Sequence, residues 1–176
     1  MLIDLLRARR SIRRYQAKPV EKEKIDVLVE AALRSPSSRG FNPWEFVVID
    51  DAEILERLSR SKPHGASFLA NAPLAIAVCP QTDRSDVWVE DVSIAALILH
   101  LTAADLGLGS CWIQLRKRNH DGTLSAGAYA ADVLGMPTDR EVSAIMAIGY
   151  PDQQPAPHHE SSLQHDKVSS NRYGLR

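Results

Sequence analysis

The stretch SPSSRGFNPWEFVVID, residues 35–50, divides near its middle into two kinds of chain. Its second part, EFVVID (45–50), is a short, mostly apolar run and predicts a buried strand. Its first part uses Pro, Ser, Gly and Asn, the residues of any connector. That connector nevertheless brings Pro36, two hydroxyls (Ser37 and Ser38), the amide of Asn42 and Trp44 within nine residues, directly before the strand. Hydrogen-bonding groups beside an aromatic wall can read a flat heteroaromatic ring.

The flanking chain alternates in the same way. Upstream, EKEKIDVLVEAALR (21–34) sets Ile25, Leu28, Val29, Ala32 and Leu33 on one helical face, begun after Pro19 and stopped before Pro36. Residues 2–8 read as a shorter helix. Downstream, 51–60 reads as a surface helix with acidic groups at its positive end. PLAIAVCP (73–80), GSCWIQLR (109–116) and VSAIMAIGY (142–150) read as three more strands, with a helix over 123–135. Strands alternating with helices predict a mixed sheet with helices packed on it. Residues 88–107 form the longest helical pattern, apolar around most of its circumference. A 176-residue domain rarely covers such a helix on every side, so the pattern predicts a subunit interface. After Gly149-Tyr150-Pro151 the chain turns polar and aperiodic, and by itself this tail reads as disordered.

Charge is distributed more tellingly than its total of −1 suggests. In residues 1–18, Arg7, Arg9, Arg10, Arg13, Arg14 and Lys18 stand against Asp4 alone, a net of +5, so the remaining chain sums to −6. A local cationic site on an acidic body argues against a nucleic-acid surface, which needs a broader basic face with interleaved aromatics. Arg9, Arg10, Ser11 and Arg13 combine forked donors with a hydroxyl, a set that suits one phosphate group. No stretch is long and apolar enough to span a bilayer. The start MLIDLLRARR has too short an apolar run for a signal peptide, and no cleavage-like segment marks a transit peptide. Cys79 and Cys111 form no CxxC pair. A cytoplasmic protein is the expectation.

Familiar catalytic arrangements are missing. There is no P-loop and no G-x-S-x-G elbow, and GLGSCW (107–112) lacks both the third glycine and the strand–helix context of a dinucleotide fingerprint. His158-His159-Glu160 sits among prolines without a supporting metal-ligand pattern. His100 lies inside the long apolar helix and reads as a satisfied interior histidine. No acid–base pair stands out, so any chemistry falls to a cofactor.

RRSIRRY, SPSSRGFNPWEFVVID, LGLGSCWIQ and AIGYP, in this order and spacing, resemble the FMN-dependent nitroreductase family. The resemblance runs from about Arg9 to Asn171. It implies an α+β fold, a central mixed or antiparallel sheet flanked by helices, in an intertwined homodimer with FMN at the subunit interface. Residues 1–150 would form the FMN-binding domain, and 151–176 an extension of that domain wrapped around the partner. Arg9, Arg10 and Ser11 match the segment on the FMN phosphate and ribityl chain, and Arg13 a basic residue near the pyrimidine edge. Pro36, Ser37 and Ser38 match the loop that reaches the opposite subunit's FMN, with Asn42 beside the ring. Trp112, Ile113 and Gln114 match the strand whose backbone covers the flavin near N5. Lys167 matches a late basic residue on the phosphate, with His165 as an assistant.

The chain departs from the family where Gly40-Phe41-Asn42 replaces a frequent Asn-x-Gln, and where an insertion forming part of the substrate channel is missing. The implied activity is ping-pong hydride transfer from NAD(P)H to nitroaromatics, quinones or similar small acceptors. The alternative is a flavin-binding protein without reductase turnover, a carrier or a specialised flavin-using lyase.

Overall fold

A computed structural model describes residues 1–176. Helix α1 spans Leu2–Ala8 and α2 Lys22–Leu33; strand β1 (Trp44–Ile49) follows the quoted loop. Then come α3 (Ala52–Ser59), β2 (Leu74–Pro80), α4 (Trp88–Asp105), β3 (Gly109–Gln114), α5 (Ala126–Val133) and β4 (Ala144–Gly149). Every expected helix and strand is present. Helix α5 starts later than its pattern suggested, because Ser125 caps it by accepting from Ala128 N.

The four strands stand in the order β1-β2-β4-β3, and every pairing is antiparallel. This resolves the expectation of a mixed or antiparallel sheet. Strands β2 and β3 do run in the same direction, which the crossover through α4 permits. However, β4 lies between them and runs against both, so no parallel ladder forms.

Alternation along the central strands divides the core. Leu74, Ile76, Val78, Met146 and Ile148 face one way, onto Leu28 and Ala32 of α2 and Val92, Ala95, Ala96, Leu99 and Ala103 of α4. Ala75, Ala77, Ile145 and Ala147 face the other way, onto Leu55 and Leu58 of α3 and Ala126 and Ala130 of α5. With helices on both faces, β2 and β4 are buried at every position, which is why they read as unbroken apolar runs. Ile94 and Leu97 of α4 remain exposed, as do Leu2, Ile3 and Leu6 of α1. No helix is long and apolar enough to cross a membrane.

Candidate functional site

After α1 the chain becomes extended at Arg9 and lies against the free edge of β3. Ser11 bridges Ser110 in parallel, and Ile12 N donates to Ser110 O at 3.0 Å. Two glycines allow the approach. Gly109 pairs with Gly149 across β3 and β4. A Cβ on Gly109 would stand 2.7 Å from Ile12 Cβ; one on Gly149 would stand 2.6 Å from Pro73 and 3.0 Å from Tyr15. The segment 12–15 therefore crosses the sheet end where two side chains are missing. Tyr15 anchors it from beneath, its hydroxyl 2.6 Å from Ile12 O and 3.2 Å from Ala147 O, and burial pushes that phenol well above its usual range.

Arg9 is held from behind. Its Nη1 lies 2.8 Å from Nε2 of His100, and Nδ1 of His100 bonds Ser110 Oγ. A guanidinium cannot accept, so Nε2 must be the acceptor, which leaves the ring proton on Nδ1 and makes Ser110 its acceptor. Burial, reinforced by the Arg9 charge, pushes His100 down to about 4, so the ring is neutral at physiological pH. The guanidinium's other donors remain for a ligand. Arg9, Arg10, Ile12, Gly109 and Ser110 line a cavity of about 320 Å³, closed on one side by Gln153 to Pro155. Arg10 reaches the Ala156 carbonyl. The Arg13 guanidinium lies 5.9 Å from the Phe68 ring centroid and close to Cys111. Burial raises the Cys111 thiol, partly countered by Arg13 and Lys62.

Beyond Ser110 the edge of β3 stays open. Leu115 N donates to Ser143 O across β4, and Ser110 O accepts from Ile12 N on the other side. Alternation along the strand then turns the backbone groups of Trp112 and Gln114 outward. Lys62 Nζ takes the Gln114 carbonyl at 2.8 Å. Trp112 Nε1 donates to Gln114 Oε1 at 2.9 Å, on the α4 side of the sheet. Ile113 is fully buried on the opposite face, and the same alternation turns its backbone groups to β4, so it supports the strand and is not itself presented to a ligand.

The loop of Pro36, Ser37, Ser38 and Asn42 lies elsewhere and is bonded within itself. Ser37 Oγ donates to Asn42 Oδ1 at 2.7 Å and accepts from Asn42 N at 2.9 Å. Arg39, Gly40 and Asn42 all have positive φ. Buried Asp91, near the start of α4, accepts from Ser38 N at 2.8 Å and from Ser85 Oγ at 3.1 Å. The basic segment instead hangs from His100, nine residues along the same helix, about 13 Å at 1.5 Å per residue. One chain does not bring these two halves of the expected site together. Nor does it bring His165 and Lys167 to the arginines: both lie on an exposed turn, and every hydrogen bond of residues 157–176 stays within the tail.

Sequence reasoning found the arginines, the loop and the strand, and His100 is the satisfied interior histidine it expected, but its partner Arg9, Asp91 behind Ser38 and Lys62 on β3 were not foreseen. A buried histidine or aspartate in an apolar helix was the available signal, since such groups need partners.

The sequence profile described as the Nitroreductase family matches residues 6–62 and 58–150. The chain belongs to that family. An FMN-dependent nitroreductase from Clostridium difficile R20291 superposes with a TM-score of 0.95 at 45% identity, over 97% of this chain and 99% of that one. A protein of Archaeoglobus fulgidus that bears the name NADH dehydrogenase/NAD(P)H nitroreductase is 33% identical over 153 residues, 85% of this chain and 84% of its own. A Methanothermobacter thermautotrophicus protein with the same name is 39% identical over 114 residues, spanning 63% of this chain and 59% of its own length. Nitroreductases thus share this sheet and its flanking helices.

Proposed function

We propose that the chain is an FMN-dependent NAD(P)H oxidoreductase that reduces nitroaromatics, quinones or similar small acceptors in a ping-pong cycle, as a homodimer in the cytoplasm. The observation that carries this reading is the basic segment docked beside the open edge of β3, with Arg9 fixed by a buried, neutral histidine. The donor set fits the cofactor: guanidinium forks and the Ser11 hydroxyl suit its phosphate, and outward amides of Trp112 and Gln114 suit the carbonyls and nitrogens of a ring.

Bound FMN would supply the two-electron relay between NAD(P)H and the acceptor. Arg9, Arg10 and Ser11 would hold its phosphate end, Arg13 would place positive charge near the pyrimidine edge, and Trp112 and Gln114 would orient the ring through their outward backbone groups, with buried Ile113 anchoring the strand between them. A ring held this way needs no protein acid–base pair at its open face. Pro36, Ser37, Ser38 and Asn42 stand too far from the same chain's arginines, so they would serve the partner's cofactor. Exposed Ile94, Leu97, Leu2, Ile3 and Leu6 supply an apolar face for that pairing. The tail, which packs on its own body only as far as Ala156, would wrap the partner and bring His165 and Lys167 to a phosphate.

The test is the visible spectrum of the purified protein, followed by NADH and NADPH titration under nitrogen, on wild type and on Arg9→Ala/Arg13→Ala. A yellow wild type that bleaches with reductant and recovers with a nitroarene, and a folded, colourless double variant, are expected. Flavin that never bleaches would mean a carrier or lyase instead. Full flavin occupancy in the double variant would remove the phosphate assignment.

A further inference from the structure

A second basic cluster escaped the sequence reading. RSKPH (60–64) and RKRNH (116–120) are far apart in the chain, yet they meet beside the end of β3. Lys62, Pro63, His64, Arg118 and Asn119 enclose a recess of about 270 Å³ with no apolar side chain except the proline. Lys62 is half-buried and pinned by Gln114 O. The pinning leaves two ammonium protons free. Arg118 is fixed by its backbone, which bonds Leu115 O at 2.9 Å and receives Ala126 N at 2.8 Å. Lys117, the residue before Arg118, holds a positive φ of 57°, a strained state for a residue with a side chain.

Neither Lys62 nor Arg118 has a carboxylate within ion-pair distance. The acidic groups nearby are already engaged: Glu56 pairs with Arg60, and Asp121 accepts from Thr123 N at 2.7 Å and Leu124 N at 2.8 Å. Burial, then the charge of Arg118, lowers the Lys62 pKa, so gathering these cations costs stability that no acidic side chain returns. Arg116 is not part of the recess, since its guanidinium stacks 5.3 Å from the Trp88 centroid.

We infer that this recess is an oxyanion subsite, where Arg118 and Lys62 receive a phosphate or carboxylate carried by the substrate that docks beside the β3 edge. The inference rests on the functional reading above and adds to it a charge preference among substrates. The same chemistry has two sources, the phosphates of the nicotinamide cofactor or an acidic group on the acceptor. Arg118 lies outside the cofactor-binding set, so the subsite can be removed separately.

Flavin-loaded wild type and Arg118→Met are compared with NADPH against NADH, and with 4-nitrobenzoate against 4-nitrobenzyl alcohol. The expected result is a KM for the anionic substrate raised roughly tenfold, the worth of one charge-assisted hydrogen bond, with kcat, the neutral substrate and the visible spectrum unchanged. A rise for NADPH alone assigns the source to its 2′-phosphate, a rise for both nicotinamides to the shared pyrophosphate, and a rise for nitrobenzoate to the acceptor. Unchanged KM values throughout, with the spectrum intact, overturn the inference. Should the chain take no flavin, the functional reading fails separately. Pyrophosphate titration followed by amide NMR then decides: shifts at Lys62 and Arg118 that Arg118→Met abolishes support the subsite, and no shift refutes it.

Discussion

Replacing Gly109 by alanine tests whether the arginine segment must sit flush on the sheet. The new Cβ would lie 2.7, 2.7 and 2.8 Å from Cβ, Cγ1 and Cγ2 of Ile12. Comfortable carbon contacts begin near 3.5 Å, so the segment must retreat by roughly 1 Å. A retreat of that size stretches the 3.0 Å bond from Ile12 N to Ser110 O beyond a working hydrogen bond. Overpacking costs about 1–3 kcal/mol and the lost bond about 1 kcal/mol, while the stiffer unfolded chain returns about 0.4–1 kcal/mol. A net loss of about 1–4 kcal/mol follows. Ile12→Ala removes two of the three clashing atoms, so the double variant recovers part of this, with a coupling of at least about 1 kcal/mol. Urea denaturation of the four proteins measures the cycle, and FMN titration measures displacement of Arg9 and Ser11, expected at tenfold or more in Kd. Strict additivity, or unaltered flavin affinity in Gly109→Ala, would refute the close-approach argument.

Two further outcomes follow from the buried polar groups. His100 is neutral when folded, with its pKa pushed down from 6.5 to about 4, so the unfolded chain binds its proton first. Stability from this group is complete above pH 6.5 and is lost as pH falls towards 4, about 3 kcal/mol in all at about 1.4 kcal/mol per pH unit. His100→Gln keeps an acceptor for Arg9 but cannot titrate. Subtracting its pH–stability curve from wild type cancels the common carboxylates, and a flat difference between pH 6.5 and 4 would contradict the assignment. Asp91→Ala leaves Ser38 N and Ser85 Oγ without their acceptor; a loss of about 2 kcal/mol and faster amide exchange over residues 36–42 are expected, and unaltered exchange would show that the loop holds itself.

The sequence alone determined the elements and the groups that could grip a phosphate. Period-2 and period-3.6 patterns are local, so EFVVID, PLAIAVCP and the 88–107 run could be read without knowing their neighbours. The arginines and the Ser–Ser–Asn loop were visible because their residue types exceed what a core or a plain connector needs. Tertiary structure decided what depends on residues far apart in the chain. Arg9 meets His100 across 91 positions, Lys62 meets Gln114 across 52, and the Gly109–Gly149 pair makes room for Ile12 and Tyr15. It also placed β4 between β2 and β3, which decided between a mixed and an antiparallel sheet in favour of antiparallel pairing. Such partners are chosen by topology and by the requirement that buried donors, acceptors and charges be satisfied, and no local periodicity records that choice.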